Sequence, residues 1–526
     1  MGGIMGGMPY IGGPVGAIAQ ATALGVPQSV RAYGAVGNGT TDDTSAIQAA
    51  LTAAGNAGGG VVIVPYTESG YLCGALTLPP GVAFTFERGA KLVAPSTLAA
   101  SWVVAEASKI HNGTAVIGGT FDASNTTSSS VTAVIDFSSV TSCPNTRIID
   151  TRIINAPIHG VFLSESTYTA EAKWVQDNSI DGHGTAATGY GIYCDYIGNV
   201  HIEDNFVTTT GTDDSIELGH SGPEYLGGLD ARLLCIHNHC VNGEINFPHS
   251  HYALIDGNTV VGNTIQNDAN AANNVTITNN TVINPNPAAG YAGICVNGDR
   301  ALIEGNTIEL NGAGVGILGD TQPSSNTVIR GNVVRNTSST AATLGIGAGG
   351  STSDTVYSAS NIVEGNQVVG AFTDGIDITG SNHLVRGNML ALTGATYGIC
   401  LLDSSVTGNT PQNNRLQGNS IAGAATAVQV NDASGTVALD NIGYNPQAWA
   451  TTTPALPTGT GSANYIQNTN PYPVLISQAG ASGTNIEDTA GVGKELPADP
   501  VDVRLDPGER ISYITTVPTA WLWRGL

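Results

Sequence analysis

Between residues 254 and 421 a motif of two apolar residues, X-Gly-Asn-X and a further apolar residue recurs as LIDGNTV, LIEGNTI, VIRGNVV, IVEGNQV, LVRGNML and RLQGNSI. Its asparagines are Asn258, Asn306, Asn332, Asn366, Asn388 and Asn419, and Asn205 in IEDNFV and Asn280 in ITNNTV continue the series. Neighbours one repeat apart are separated by 22 to 34 residues. A second motif, Gly-Ile, alternates with it at Gly191, Gly293, Gly316, Gly345, Gly375 and Gly398. A period of that length with two short apolar strands is one coil of a solenoid, which buries its apolar residues only by stacking on the next coil. Alternation such as Ile216-Glu217-Leu218 sends the outer two side chains inward and the middle one outward. Recurrent Asn predicts a ladder of amide hydrogen bonds along one corner, and recurrent Gly predicts turns with φ > 0. Helical repeats would need a 3.6-residue period and Leu, Ala, Glu and Lys enrichment, which are absent. The prediction is an all-β chain, a right-handed parallel β-helix rather than a propeller or sandwich.

A chain of 526 residues exceeds one ordinary core unless it grows by repetition. With 69 Gly but only 8 Phe and 4 Met, it suits short strands and turns better than packed helices. Acidic residues outnumber basic ones 41 to 17, a net −24 that repels phosphate backbones and excludes nucleic acid as a partner. Seven cysteines without a CxxC pair argue against a disulfide framework or structural zinc, and Cys194, Cys295 and Cys400 read as reduced core residues. The first 30 residues carry no charge and are broken by Gly and Pro, unlike a secretory signal or a membrane span. They read as a flexible leader or an attachment segment. TTDDTSAIQAALTAAGN then predicts a helix capped by Thr41 or Asp42, with a stripe at Ala46, Ile47, Ala50 and Leu51, followed by a strand Val61–Val64. Such a helix covers the open end of a solenoid.

Residues 30–95, VRAYGAVGNGTTDDTSAIQAAL…GGGVVIVP…YLCGALTLPPGVAFTFERGAKLVAP, resemble the N-terminal signature of the pectate-lyase-like superfamily, which includes polygalacturonases and many bacteriophage tailspikes. The resemblance implies a right-handed β-helix acting on polysaccharide. It suggests a leader at 1–29, a β-helix over 30–445, a linker at 446–464 and a small C-terminal β-module over 465–526. The ending LDPGERISY…WLWRGL resembles C-terminal modules of phage tail proteins, where Trp521 and Trp523 either meet a neighbouring chain or close the module's own core.

Against a chain only 11% charged, GTDDSIELGH at 211–220 stands out. Aligning coils on Ile192, Ile216 and Ile245 lays DSIELGHS over GEINFPHS without a gap. Glu217 then faces outward between Tyr193 and Asn246, and Glu244 stands one coil on, offset by two residues and about 8 Å away backbone to backbone. In CIHNHCV, His239 is read as taking the ladder asparagine's slot, with His237 on the same side. His220, His249 and His251 follow nearby turns, so five of ten histidines fall between 220 and 251. Polygalacturonases use an N-T-D, a G-D-D and a G-H-G motif. The resemblance carries Asp213 and Asp214 over as the G-D-D acids and Asp195 as the last aspartate of the first segment, where Ile192 replaces the catalytic one. No G-H-G is present, so one acid must come from elsewhere, with Glu217 or Glu244 expected. The catalytic candidates are Asp213, Asp214, Glu217, Glu244 and Asp195. Tyr193, His220, His237, His239, Asn246 and His249 are candidates for sugar contact.

Glycoside hydrolysis needs one carboxyl kept protonated and another ionised, and crowding acids raises one pKa. A solvated turn or a calcium site are the other readings of the cluster. FTDGIDITG holds a rival pair, Asp374 and Asp377, the latter at Glu217's repeat position. Between 160 and 260 the only Lys or Arg residues are Lys173 and Arg232, which disfavours a cation-assisted lyase of uronic polymers. No cofactor is expected, although the acids also suit calcium as ligands. The expected protein is a tailspike-like glycoside hydrolase of a bacterial capsule, lipopolysaccharide or exopolysaccharide, homotrimeric, without membrane insertion, attached through its N-terminus to a virion tail. A lyase, a non-catalytic glycan-binding fibre and a free extracellular polysaccharidase are the alternatives.

Overall fold

A computed structural model of the chain describes residues 26–185, 189–209, 214–219, 232–248, 250–267, 273–285, 292–319, 325–349, 359–402, 412–430, 436–442, 460, 465–469, 474–479, 482–488, 492–496, 502–516, 518 and 520–525. The chain forms two compact units, Met1–Asn286 and Pro287–Leu526. Among the described residues no helix is long and apolar enough to cross a membrane.

In the first unit the short strands Gln28–Ser29 and Asn38–Asp42 precede the helix Thr44–Asn56, which buries Ile47, Ala50, Leu51 and Ala54. It starts later than TTDD suggested. Asp43 takes the N-cap position without capping, its carboxylate instead accepting the Val36 and Gly37 N–H groups at 2.7 and 2.9 Å. The Thr44 N–H goes to Asp42 at 3.0 Å. The strand Gly60–Val64 follows.

Three walls then build up one strand per coil. The first runs through Val82–Phe86, Ala115–Ile117, Arg147–Ile149, Lys173–Gln176, Val200–Glu203, Leu233–Ile236 and Ala253–Asp256, each parallel to the next. The second includes Ser179–Asp181, Phe206–Thr208, His239–Val241 and Thr259–Val261. The third runs through Ala133–Val140, His159–Glu165, Ile192–Asp195, Ile216–Leu218, Ile245–Asn246 and Ile265–Gln266. Inward residues in register, such as Val175, Ile202, Cys235 and Ile255, are wholly buried. Each contributes about 1.5–3 kcal/mol by leaving water if aliphatic, and Cys235 fills the same stack as a small apolar residue. The second unit repeats the pattern, with Ala292–Cys295, Val315–Gly319, Ala342–Ala348, Phe372–Thr379 and Met389–Leu402 in parallel succession. From Ile466 on, the strands pair antiparallel around Val474, Ile476, Val503, Leu505, Ile511 and Tyr513. The strand Ala520–Gly525, which carries Trp521 and Trp523, pairs with Val474–Ala479.

The asparagine ladder is present, and it corrects the reading of CIHNHCV. Asn238, not His239, fills the slot: Asn205 Nδ2 donates to Asn238 Oδ1 at 2.9 Å, and Asn238 Nδ2 donates to Asn258 Oδ1 at 3.0 Å. The ladder has no break at this coil. In the second unit it runs Asn306, Asn332, Asn366, Asn388, Asn419, Asn441. Each buried amide donates both to the next side chain and to a backbone carbonyl, so no donor is stranded at the corner.

The two recurrent glycines do different work. Those of the Gly-Asn motif adopt φ near +64; Gly331, Gly365 and Gly418 have open space where a Cβ would go, while at Gly257 it would stand 2.5 Å from the His237 ring. Those of the Gly-Ile motif have no positive φ. A Cβ on Gly191 would stand 2.3 Å from Val207 Cγ1 and 2.6 Å from the Ser215 carbonyl oxygen, and Gly316, Gly345 and Gly375 meet the next coil's carbonyl at 2.5 Å. The second motif is glycine for close approach, not for turn geometry.

Candidate active site

The register predicted from Ile192, Ile216 and Ile245 holds. Ile192 pairs with Ile216 and Ile216 with Ile245, which aligns Phe162, Tyr193, Glu217, Asn246 and Gln266 on the outer face of the third wall. Ile216 and Leu218 point into the core at 0% exposure, while Glu217 is 9% exposed.

Asp214 sits three residues before Glu217. Its backbone carbonyl accepts the Gly191 N–H at 3.2 Å, which sets it beside Tyr190 on the preceding coil. The Glu244 carbonyl on the following coil accepts the Ser215 and Ile216 N–H groups at 2.9 and 3.1 Å. These backbone bonds bring three carboxyls together, and the Asp214 side chain is hydrogen-bonded to both Glu217 and Glu244. Neutral donors complete the shell. Asn246 Nδ2 donates to Asp214 at 3.2 Å, and Glu244 Oε2 accepts from Gln266 Nε2 at 2.7 Å and Thr264 Oγ1 at 3.0 Å.

Two ionised carboxylates only accept, so a hydrogen bond between carboxyls requires a shared proton. Burial first, then the bond to Glu217, pushes Asp214 up to about 8. Burial and the charge of Asp214 push Glu244 up to about 8. The bond between Asp214 and Glu244 raises Glu244 and lowers Asp214, whereas the bond to Glu217 raises Asp214. The arrangement is a cluster of acids in which burial and mutual charge favour the protonated form of Asp214 and Glu244.

The other sequence candidates divide. Tyr193 and Asn246 stand on the same outer row as Glu217. Asp195 lies at the end of its strand, hydrogen-bonded to the side chain of Tyr193, whose hydroxyl is pushed up by burial and by the charges of Asp195 and Glu217. His239 lies on the second wall, stacked on Phe206 at 5.3 Å between ring centroids. His237 is exposed at the preceding corner, 3.8 Å from Asp204, in the φ > 0 turn position that glycine takes in other coils. Neither is brought to the carboxyl wall. Asp213, His220 and His249 lie outside the described residues. Lys173 is fully buried in an ion pair with Glu165 at 3.0 Å and also donates to the Thr169 and Gly198 carbonyls, so it is committed to the fold. Among the described residues no group of three or more His, Cys, Asp or Glu side chains is spaced to hold a metal ion.

Sequence reasoning missed His159, Phe162, Tyr190, Thr264 and Gln266. The signal was present: His159-X-X-Phe162, Tyr190-X-X-Tyr193 and Asp214-X-X-Glu217 repeat one spacing on three successive coils.

A fold of stacked three-strand coils with an acid-bearing outer wall defines the class, and comparison agrees with it. A family model described as the right handed beta helix region matches residues 235–388 and 269–442. The protein has the fold of a right-handed parallel β-helix. A tailspike protein mutant of E. coli bacteriophage HK620 is similar with a TM-score of 0.55 at 12% identity, covering 95% of this chain and 93% of that one. A second HK620 tailspike mutant, in complex with a hexasaccharide, has a TM-score of 0.50 at 10% identity, covering 95% and 93%. The A-module of Azotobacter vinelandii mannuronan C-5 epimerase AlgE6 has a TM-score of 0.39 at 17% identity, covering 79% and 98%. No curated protein sequence matches.

Proposed function

We propose that this protein is a glycoside hydrolase of tailspike type that cleaves a bacterial surface polysaccharide. The observation that carries the reading is the Asp214 carboxyl, buried on the outer face and hydrogen-bonded to Glu217 and Glu244 at once. In this mechanism Asp214, held protonated by burial, gives its proton to the glycosidic oxygen. Glu217 supplies the negative charge that stabilises the oxocarbenium-like transition state or activates water. Glu244 refills Asp214 along their hydrogen bond, and Gln266 and Thr264 hold Glu244 in place.

The likeness to tailspikes over 95% of the chain, one of them in complex with a hexasaccharide, supports a glycan substrate and a place on a virion tail or outside the cell; a homotrimer is part of the proposal on the sequence resemblance alone. Hydrolysis is preferred to cation-assisted elimination because Lys173, one of the two basic residues between 160 and 260, is sealed in the core by Glu165.

Digestion of a panel of capsules, O-antigens and exopolysaccharides, read by reducing-end release and product mass, tests the proposal. D214N, E217Q and E244Q are expected to remove release without changing the melting temperature by more than a few degrees. Products absorbing as unsaturated uronides, or activity abolished by EDTA, would transfer the reading to a lyase.

A further inference from the structure

Next to the acids, the same two positions of the third wall carry rings on two successive coils. Tyr190 and Tyr193 flank the Gly-Ile step one coil before Asp214 and Glu217, and His159 and Phe162 stand one coil before those. The four side chains form one stack. His159 lies on Tyr190 at 5.1 Å and 14°, Phe162 on Tyr193 at 4.6 Å and 26°, and Tyr190 is 4.8 Å from Tyr193. Phe162, Tyr190 and Tyr193 are only partly buried, on the outward side of a wall whose core is filled by Val161, Ile192 and Ile216. An outward Phe has no polar tip to keep in water, so its place in the repeat calls for an apolar neighbour.

The stack is also held rigid. His159 Nδ1 accepts the Tyr190 N–H at 2.9 Å, which puts the ring hydrogen on Nε2 and fixes the imidazole plane. Asp195 accepts from the Tyr193 side chain and from the Tyr196 N–H at 3.1 Å. It packs so closely on the next coil that a Cβ at Gly219 would stand 2.6 Å from Asp195 Oδ1. On the first two walls Trp174 pairs with His201, which is bonded to Glu203 at 3.0 Å, and Phe206 pairs with His239.

Resting on the hydrolase reading, we infer that the Tyr190–Tyr193 and His159–Phe162 rungs are the floor of a subsite for an uncharged pyranose, so that the glycan lies across the coils with one sugar stacked on Tyr193 and the cleaved bond over Glu217. The negative face of an aromatic ring attracts the slightly positive C–H groups of a sugar face. Asp136, Asp195 and Glu217 border or end the rows in which the rings stand, so a uronic acid or sulfated sugar meets like charge there. In this scheme Asp195 is a positioning residue that holds Tyr193 through its hydroxyl.

The test uses the full chain with E217Q as a cleavage-dead background. Binding is measured on an array of neutral and uronate-containing bacterial polysaccharides, then by titration with oligosaccharides cut from the best neutral binder. Tyr193→Ala and Tyr190→Ala should weaken binding at least about tenfold, Tyr193→Leu should do the same at nearly constant volume, and Tyr193→Phe should keep most of the affinity. In the acid-intact enzyme, Asp195→Asn should raise KM by more than it lowers kcat, a split that general loss of fold does not produce. Binding that survives Tyr193→Leu and Tyr190→Ala while the parent cleaves overturns the floor and leaves the hydrolase. Ring-dependent binding by a parent that never cleaves keeps the floor and removes the hydrolase. Preference for a polyuronate overturns the substrate class, and absence of binding to every polysaccharide overturns both.

Discussion

The coil that carries Asp214 and Glu217 has a counterpart in the second unit. Asp374 and Asp377 occupy the same two positions around a Gly-Ile step, and Asp377 is likewise pushed up, to about 7, by burial and by Asp374. Their neighbours differ. Leu344 and Gly347 precede them, Tyr397 and Cys400 follow, and Asp377 Oδ1 has no hydrogen-bond partner among the described residues. Asp214 and Glu217 are flanked by rings on one side and by Glu244, Asn246 and Gln266 on the other. The repeat supplies outward acid pairs readily. A third carboxyl and neutral donors from Asn246, Gln266 and Thr264 set one such pair apart from the other.

The sharpest way to break this comparison is mutational. D214N and E217Q should each lower cleavage by roughly 10²–10⁴-fold, while D377N should change it by less than about threefold, read by reducing-end release. If D377N is the damaging change, the two coils exchange roles. The pH dependence adds a second handle. The acid must be protonated, so with Asp214 and Glu244 raised to about 8, cleavage should hold through neutral pH and fall as pH rises past about 8. D377N should leave that limb in place.

Stability separates the units further. Lys173→Ala leaves Glu165 buried and unpaired and should cost about 3–5 kcal/mol, measured by denaturant unfolding. Removing Arg386 from its exposed pair with Glu364 in the second unit should cost under about 1 kcal/mol. Buried His383, inserted in a polar ladder where its Nδ1 accepts the Asn361 N–H at 3.1 Å, is lowered to about 4 by burial. The unfolded chain binds that proton from about pH 6.5 downward and the folded chain does not. Its stability contribution is therefore full above about 6.5 and lost as pH falls toward 4, by about 3 kcal/mol at most. His383→Asn, which keeps the acceptor and cannot titrate, should flatten that part of the pH–stability curve.

Much of this was legible before any coordinates. The Gly-Ile and Gly-Asn motifs encode the coil, and alignment on Ile192, Ile216 and Ile245 alone brought Glu217 beside Tyr193 and Asn246. The misreading of His239 came from choosing between adjacent residues in CIHNHCV. The observed register pairs His239 with Phe206 and Thr259, which leaves Asn238 as the residue in line with Asn205 and Asn258. The aromatic rungs carry no charge to set them apart in the sequence, although their spacing is that of the acids.

By itself, the sequence determined which side chains face inward and which outward, because alternation within a strand is a property of local geometry. It also determined that coils stack, since no single coil can bury its own apolar face. Only the tertiary structure decided that Asp214 stands between Glu217 and Glu244 and that Lys173 is spent on Glu165. Coils differ in length, so contact across them depends on backbone register. The proton affinity of an acid depends on how much water its neighbours exclude, which no spacing along the chain records.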